Sequence, residues 1–247
     1  MSIESQADLD GITLAGRVVA DVLKAMELAV EAGITTQDLD DIGASVLRHN
    51  GARSAPRLLY GCPSHNLISV NDEIVHGLPG RRTLRQGDVV KLDVTAEVDG
   101  YIADAATTVV LPGGGGDSGE RLRTCAVAAF DAGCAAATAG RRVSEIGRAV
   151  EREVTSHGFA VLRELSGHGV GRHIHEDPTV ANYFDPFQRD MLTDGLVLTI
   201  EPLVSERRTG AVQDADGWTL RTRNGCLAAH YEHTIIITKG TPVIVTR

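Results

Sequence analysis

The chain has 247 residues, of which 43% are hydrophobic, and carries a formal net charge of −9. That length suits one large domain or two small ones, and the apolar content supports a core with no region of disordered composition. The acidic balance argues against nucleic acid as a main partner, no apolar run reaches the length of a membrane span, and the polar start MSIESQADLD does not read as a secretory leader, so the expectation is a cytoplasmic protein.

Residues 9–32 place Ile12, Ala15, Val19, Val22, Met26 and Ala29 at helical spacing, and Gly33 closes the run. A second helix is predicted from Thr35 or Thr36 to about Gly51, followed by a loop, and ISVNDEIVHGLPG then reads as strand, turn, strand. The stretch VKLDVTAEVDGYIAD, residues 90–104, reads as a hairpin about Asp99-Gly100. That turn sets Val98 opposite Tyr101 and Thr95 opposite Asp104, which puts Asp93 on the same face as Asp104. Two carboxylates so placed repel unless a cation lies between them, so the pair points either to a metal or to a solvent-facing polar side of the strands.

Next, LPGGGGDSGE separates the strand ATTVVL from a long Ala-rich helix running to about residue 139. The glycine run lacks the Gly-Lys-Ser/Thr ending of a phosphate loop and is read as a flexible connection between halves. A further helix over 144–157 stops at Gly158, and FAVLREL, a histidine-rich loop and more strands complete the chain. The four cysteines, Cys62, Cys125, Cys134 and Cys226, form no CxxC pair. Cys125 and Cys134 fall on opposite faces of one helix, so free thiols in a reducing compartment are expected.

The two halves echo each other. GDVVKLDV from Gly87 and GLVLTIEP from Gly195 share a pattern of glycine, mainly apolar residues and an acid, Asp93 or Glu201. This suggests a duplicated α+β unit whose equivalent strands face a shared site. Glu201 and Glu232 each enter an otherwise apolar strand, where a lone carboxylate is costly to bury. Four acids so embedded favour a common cation site over four solvated strand ends. The loop SGHGVGRHIHEDP adds His168, His173 and His175 among glycines that allow close backbone approach to a ligand, with one of the three expected to be plain surface. His76 ends a strand and reads either as a half-buried structural histidine or as part of the site. One histidine with four carboxylates suits two divalent ions, Mn²⁺ or Fe²⁺ by ligand hardness, with Co²⁺ and Zn²⁺ also compatible. Paired ions of that kind support hydrolysis.

NDEIVHGLP, KLDVTAEVDGYIADAATT, GHGVGRHIHEDP, LTIEPLV and HYEHTIIIT occur in this order and together resemble the methionine aminopeptidases of the dinuclear pita-bread fold, most closely the short type I form. The resemblance covers nearly the whole chain. It implies an α+β, creatinase/aminopeptidase-like catalytic domain over 1–247, with pseudo-twofold halves of about 1–112 and 117–247, each of helices packed on a curved antiparallel sheet. It also implies residue roles. Asp93 chelates one metal, Asp104 and Glu232 bridge both, and His168 with Glu201 completes the other. Glu201 also takes the proton of the attacking water, His175 hydrogen-bonds the scissile carbonyl, and His76 contacts the amide on the leaving side. The substrate's free α-amine binds the metal on Asp93.

Trp218 in DGWTL matches an aromatic near the family's side-chain pocket. Cys62, in Gly61-Cys62-Pro63, stands where Tyr is common, Ile174 where Phe is frequent, and His230 where Gln is usual before Tyr-Glu-His. The implied activity is metal-dependent removal of the N-terminal methionine from nascent polypeptides with a small second residue. The alternatives are a related aminopeptidase of other specificity, such as Xaa-Pro, and a non-catalytic module that holds peptide N-termini. A monomer that meets nascent chains, with contact to the ribosome plausible but no basic patch arguing for it, completes the expectation.

Overall fold

The Asp-Gly turn forms as its residue types require: Asp99 and Gly100 take φ of 50° and 82°, the two left-handed conformations of a two-residue hairpin. In the computed structural model, which describes residues 1–113 and 117–247, the first elements are α1 (Gln6–Ala29), α2 (Thr36–His49), β1 (Arg53–Ser54), α3 (Ala55–Tyr60), β2 (Leu67–Val70) and β3 (Glu73–Val75). The hairpin is β4 (Val89–Val98) and β5 (Tyr101–Val110), followed by α4 (Ser118–Ala136) and α5 (Ser144–Ser156). Then come β6 (Ala160–Val161), β7 (Ser166–Gly169), β8 (Glu176–Ala181), β9 (Val197–Ile200), β10 (Leu203–Ser205), β11 (Ala211–Gln213) and β12 (Leu220–Thr222). Last are β13 (Ala228–His230), β14 (Glu232–Ile236) and β15 (Val243–Ile244). The glycine run read as a flexible connection falls, at residues 114–116, outside the described residues.

Nine strands form one sheet in the order β1-β4-β5-β14-β9-β7-β8, with β2 added on β4 and β15 on β14. Every pairing in it is antiparallel. Two small sheets, β13-β10-β6 and β11-β12-β3, stand beside it. The four helices α1, α2, α4 and α5 cover one side. Ser5 caps α1 by accepting from Asp8 N–H, and Thr35 and Asp38 cap α2 reciprocally, each cap contributing about 1 kcal/mol. Ile12, Val19, Val22 and Met26 of α1 are fully buried against β4 and β5, each burial worth about 1.5–3 kcal/mol. Phe130 and Ile146, from α4 and α5, fill the corresponding core under β9 and β14.

Two local expectations are corrected and one is refined. The loop predicted after α2 contains α3, a six-residue helix with Pro at its start, too short to show a helical period. ISVNDEIVHGLPG does form strand, turn and strand, but in different sheets: β2 pairs with β4 and β3 with β12, the chain leaving one sheet for the other at Asn71, φ 60°. FAVLREL yields only the two residues of β6. The cysteines are free, as expected, and no described helix is long and apolar enough to cross a membrane.

Candidate metal centre

Strand parity decides which side chains meet. Ala96 pairs with Ala103 and Val94 with Ala105, and these face the helices; Thr95 pairs with Asp104 and Asp93 with Ala106, and these face the other way. Ala106 also pairs with Glu232, and His233, next along β14, pairs with Ile200, which immediately precedes Glu201. Asp93, Asp104, Glu232 and Glu201 therefore emerge on one face of four adjacent strands. In β7, Gly169 pairs with the helix-facing Leu198, so His168 turns to the acids. The same parity that hides the core assembles the site.

These side chains share a cavity of about 270 Å³ with His76, Ile174, His175, Trp218 and His230. Asp104, His168 and Glu232 bring ligand atoms mutually within 4.8 Å, and Glu201, His230 and Glu232 do the same. Asp93 lines the cavity outside both groups. No described Lys or Arg lines it. Asp104 Oδ1 and Glu232 Oε1 are buried without a hydrogen-bond partner, as are both ring nitrogens of His230. Buried acceptors of that kind, converging with no protein cation to meet them, form a cluster that could hold a divalent cation.

The electrostatics agree. Burial, then the fields of Asp104 and Glu232, pushes the Asp93 carboxyl well above the carboxylate range; burial and Glu232 do the same to Asp104. Glu201 rises through burial and then through Glu232, Asp104 and Asp93, and burial pushes Glu232 up to about 8. Burial lowers His76 and His168 to about 4, so both are neutral at pH 7. His168 Nδ1 lies 3.0 Å from Gly169 O, to which it can only donate, leaving the Nε2 lone pair for a metal.

Several positioning groups escaped the sequence reading. Thr234 Oγ1 exchanges hydrogen bonds with Asp104, accepting from its N–H at 2.9 Å and donating to its carbonyl at 2.8 Å. Thr108 Oγ1 treats His230 likewise, at 3.0 and 2.7 Å. Thr199 accepts from His168 N–H and donates to Glu201 Oε1, while Asn182 donates to the Glu201 carbonyl. In sequence, a buried strand Thr is indistinguishable from ordinary β preference. Glu176 accepts from the N–H groups of Arg172 and His173, which folds the histidine loop and leaves His173 exposed, the surplus histidine. The glycines beside His168 serve strand approach rather than ligand approach: a Cβ on Gly167 would lie 2.5 Å from Thr199 O, and one on Gly169 2.2 Å from Asp177 O.

Cys62 is the expected pocket residue that the structure moves away. It is buried against Ser64 Oγ, 3.4 Å from its sulfur, and does not line the cavity, because Gly61 ends α3 in a left-handed turn. Pro56 and Tyr60 of α3 form that wall instead. The Tyr60 hydroxyl lies 2.8 Å from His175 Nδ1 and the two rings stack. His76, at φ 60°, holds the left-handed conformation that non-glycine residues keep mainly at functional positions.

A model of metallopeptidase family M24 matches residues 10–239. Methionine aminopeptidase 2 of Bacillus subtilis is 41% identical over 249 residues, covering 100% of both chains. The crystal structure of methionine aminopeptidase from Thermotoga maritima superposes with a TM-score of 0.96 at 32% identity over 100% of both chains. Prolidase from Pyrococcus furiosus, 19% identical, matches 99% of this chain with 65% of its own at a TM-score of 0.79 and shares the pita-bread fold alone. Full-length similarity to these relatives and the convergent acids lead to one conclusion: the chain belongs to metallopeptidase family M24, among its methionine aminopeptidases.

Proposed function

We propose that this chain is a methionine aminopeptidase of the short type I form that holds two divalent ions and removes the N-terminal methionine from nascent polypeptides with a small second residue. The observation that carries the reading is the set of three buried acids, Asp104, Glu201 and Glu232, with the half-buried Asp93 and with His168, two of the acid oxygens unpartnered, in a cavity lined by no described cation. In this reading Asp93, Asp104, His168, Glu201 and Glu232 hold the ions. Their carboxylate-rich set suits Mn²⁺ or Fe²⁺, and its nitrogen admits Co²⁺ or Zn²⁺. Bound there, the ions supply Lewis acidity toward water and the scissile carbonyl.

The chain's own residues do the rest. Glu201, whose proton affinity is raised by burial and its acidic neighbours, takes the proton of the attacking water. His175, whose pKa partial desolvation lowers, donates from Nε2 to the carbonyl oxygen as charge develops. That tautomer needs Nδ1 as an acceptor, which the Tyr60 hydroxyl satisfies. His76 contacts the amide on the leaving side, and Ile174 and Trp218 shape the side-chain pocket, which Pro56 and Tyr60 close. Tyr60→Phe keeps the ring stack and loses the donor, so kcat/KM is expected to fall roughly fivefold, about 1 kcal/mol, at unchanged metal content. Steady-state kinetics with metal analysis checks this; an unchanged kcat/KM would show that His175 does not depend on Tyr60.

We extend the reading to architecture and setting. The halves of about 1–112 and 117–247 are copies of one unit. The support is that β4 and β5 mirror β9 and β14 across the sheet and a helix pair precedes each set. The protein acts as a cytoplasmic monomer near the ribosome. The decisive experiment is methionine release from Met-Ala-Ser by chelated protein, then with Mn²⁺, Fe²⁺, Co²⁺ or Zn²⁺ restored. Metal-restored release supports the reading. Silence with every metal, or preference for Xaa-Pro peptides in a panel, replaces it.

A further inference from the structure

His230 is the one histidine of the cavity that the reading above leaves without work, and its surroundings are unusual for an idle residue. It is 1% exposed, and neither Nδ1 nor Nε2 has a hydrogen-bond partner. Its Nε2 lies 3.3 Å from Glu232 Oε2 and 3.8 Å from Glu201 Oε2, yet it makes a hydrogen bond with neither. A structural histidine in a core is normally anchored at one nitrogen at least, as His233 is, between Thr246 Oγ1 and Tyr231 Oη. His230 is anchored only through its backbone, by Thr108, which fixes the end of β13 and aims the imidazole into the cavity.

We propose that His230 is a further nitrogen ligand of this centre, donating through Nε2 to the ion shared with Glu201 and Glu232. Two donors bound to one ion at about 2.1 Å each lie about 3.0–3.4 Å apart when their bonds meet at right or tetrahedral angles. The 3.3 Å separation from Glu232 falls in that range, and Glu201, His230 and Glu232 already converge within 4.8 Å. A neutral imidazole also adds a donor without adding charge, so four carboxylates still balance two divalent ions. Together with His168 it makes this centre richer in nitrogen than one histidine and four acids, which shifts its preference from Mn²⁺ toward Co²⁺ and Zn²⁺. The inference rests on the metal-centre reading above.

The test uses the full chain, stripped of metal and titrated. Histidine-selective ¹⁵N spectra of the wild-type protein with Zn²⁺ are expected to show two ligated imidazoles, one of which disappears in His230→Gln. Equilibrium dialysis with Co²⁺ is expected to show one of two sites weakened at least about tenfold in His230→Gln and His230→Ala, with a changed visible Co²⁺ spectrum and a smaller loss for Mn²⁺. One ligated imidazole in wild type, or equal Co²⁺ affinity and spectrum in a folded His230→Gln, would overturn the assignment and leave His230 a neighbour of the carboxylates. A wild-type protein that binds no Co²⁺ or Zn²⁺ would overturn the metal-centre reading itself, so the two failures are distinguishable.

Discussion

Replacing Asp104 by alanine is expected to end two-metal loading and to lower kcat/KM for Met-Ala peptides by about a thousandfold or more. Asp104 is 6% exposed, its Oδ1 has no protein partner, and Thr234 fixes its backbone from both sides. Nothing else in the cavity can replace that oxygen without moving a strand. The same substitution removes one of four mutually repelling carboxyls, three of them buried, so the metal-free variant is expected to melt higher than the metal-free wild type. Metal analysis, methionine release and melting with chelator check the three parts. A variant that binds two ions normally, or whose metal-free form melts lower, would contradict the assignment; Asp104→Asn, which keeps the shape, separates lost charge from lost packing.

The second large effect is on stability against pH. Burial raises Glu232 from 4.5 to about 8, and Asp93, Asp104 and Glu201 shift in the same direction. Between the unfolded and folded pKa values the native protein holds more protons than the unfolded chain, so raising the pH favours unfolding. The buried histidines act oppositely, but only below 6.5: with His76, His168 and His233 lowered to about 4 and His230 to about 3, they add stability as pH rises to that point. Lys91, lowered to about 7 by burial, adds stability above that pH as one group against four acids. Metal-free protein is therefore expected to be most stable near pH 6.5 and to lose on the order of a few kcal/mol by about pH 8. Divalent metal, which binds the deprotonated acids, should abolish that loss and stabilise more at higher pH. Urea midpoints across pH 6–8.5, with and without chelator, measure it. A flat metal-free profile would mean that the acids are not buried together.

The two predictions depend on features of unequal legibility. The hairpin was readable because Asp99-Gly100 sets register locally, and once Thr95 stands opposite Asp104 the period of two carries Asp93 to the same face. The echo between Gly87 and Gly195 placed Glu201 by the same rule at the end of a second strand, and the five ordered motifs supplied the remaining candidate ligands and the fold. Helices α1, α2 and α5 were readable because their apolar spacing and their stops are local. Those properties are written within ten or twenty consecutive residues.

What was hidden depends on segments that meet only after folding. Tyr60 and His175 are 115 positions apart, and Thr108 and His230 are 122 apart; no local pattern links them. The displacement of Cys62 by Tyr60 turns on a short helix with no visible period, and the tightness around His168 on two backbone oxygens from neighbouring strands. His230 shows the division most plainly. As a residue type it was only an unusual choice before Tyr-Glu-His, whereas its two unpartnered nitrogens exist because β13 and β5 are clamped together at Thr108. Local backbone chemistry and side-chain alternation settle which residues share a face; hydrogen-bond satisfaction is a property of the packed whole, and it is this that singles out His230.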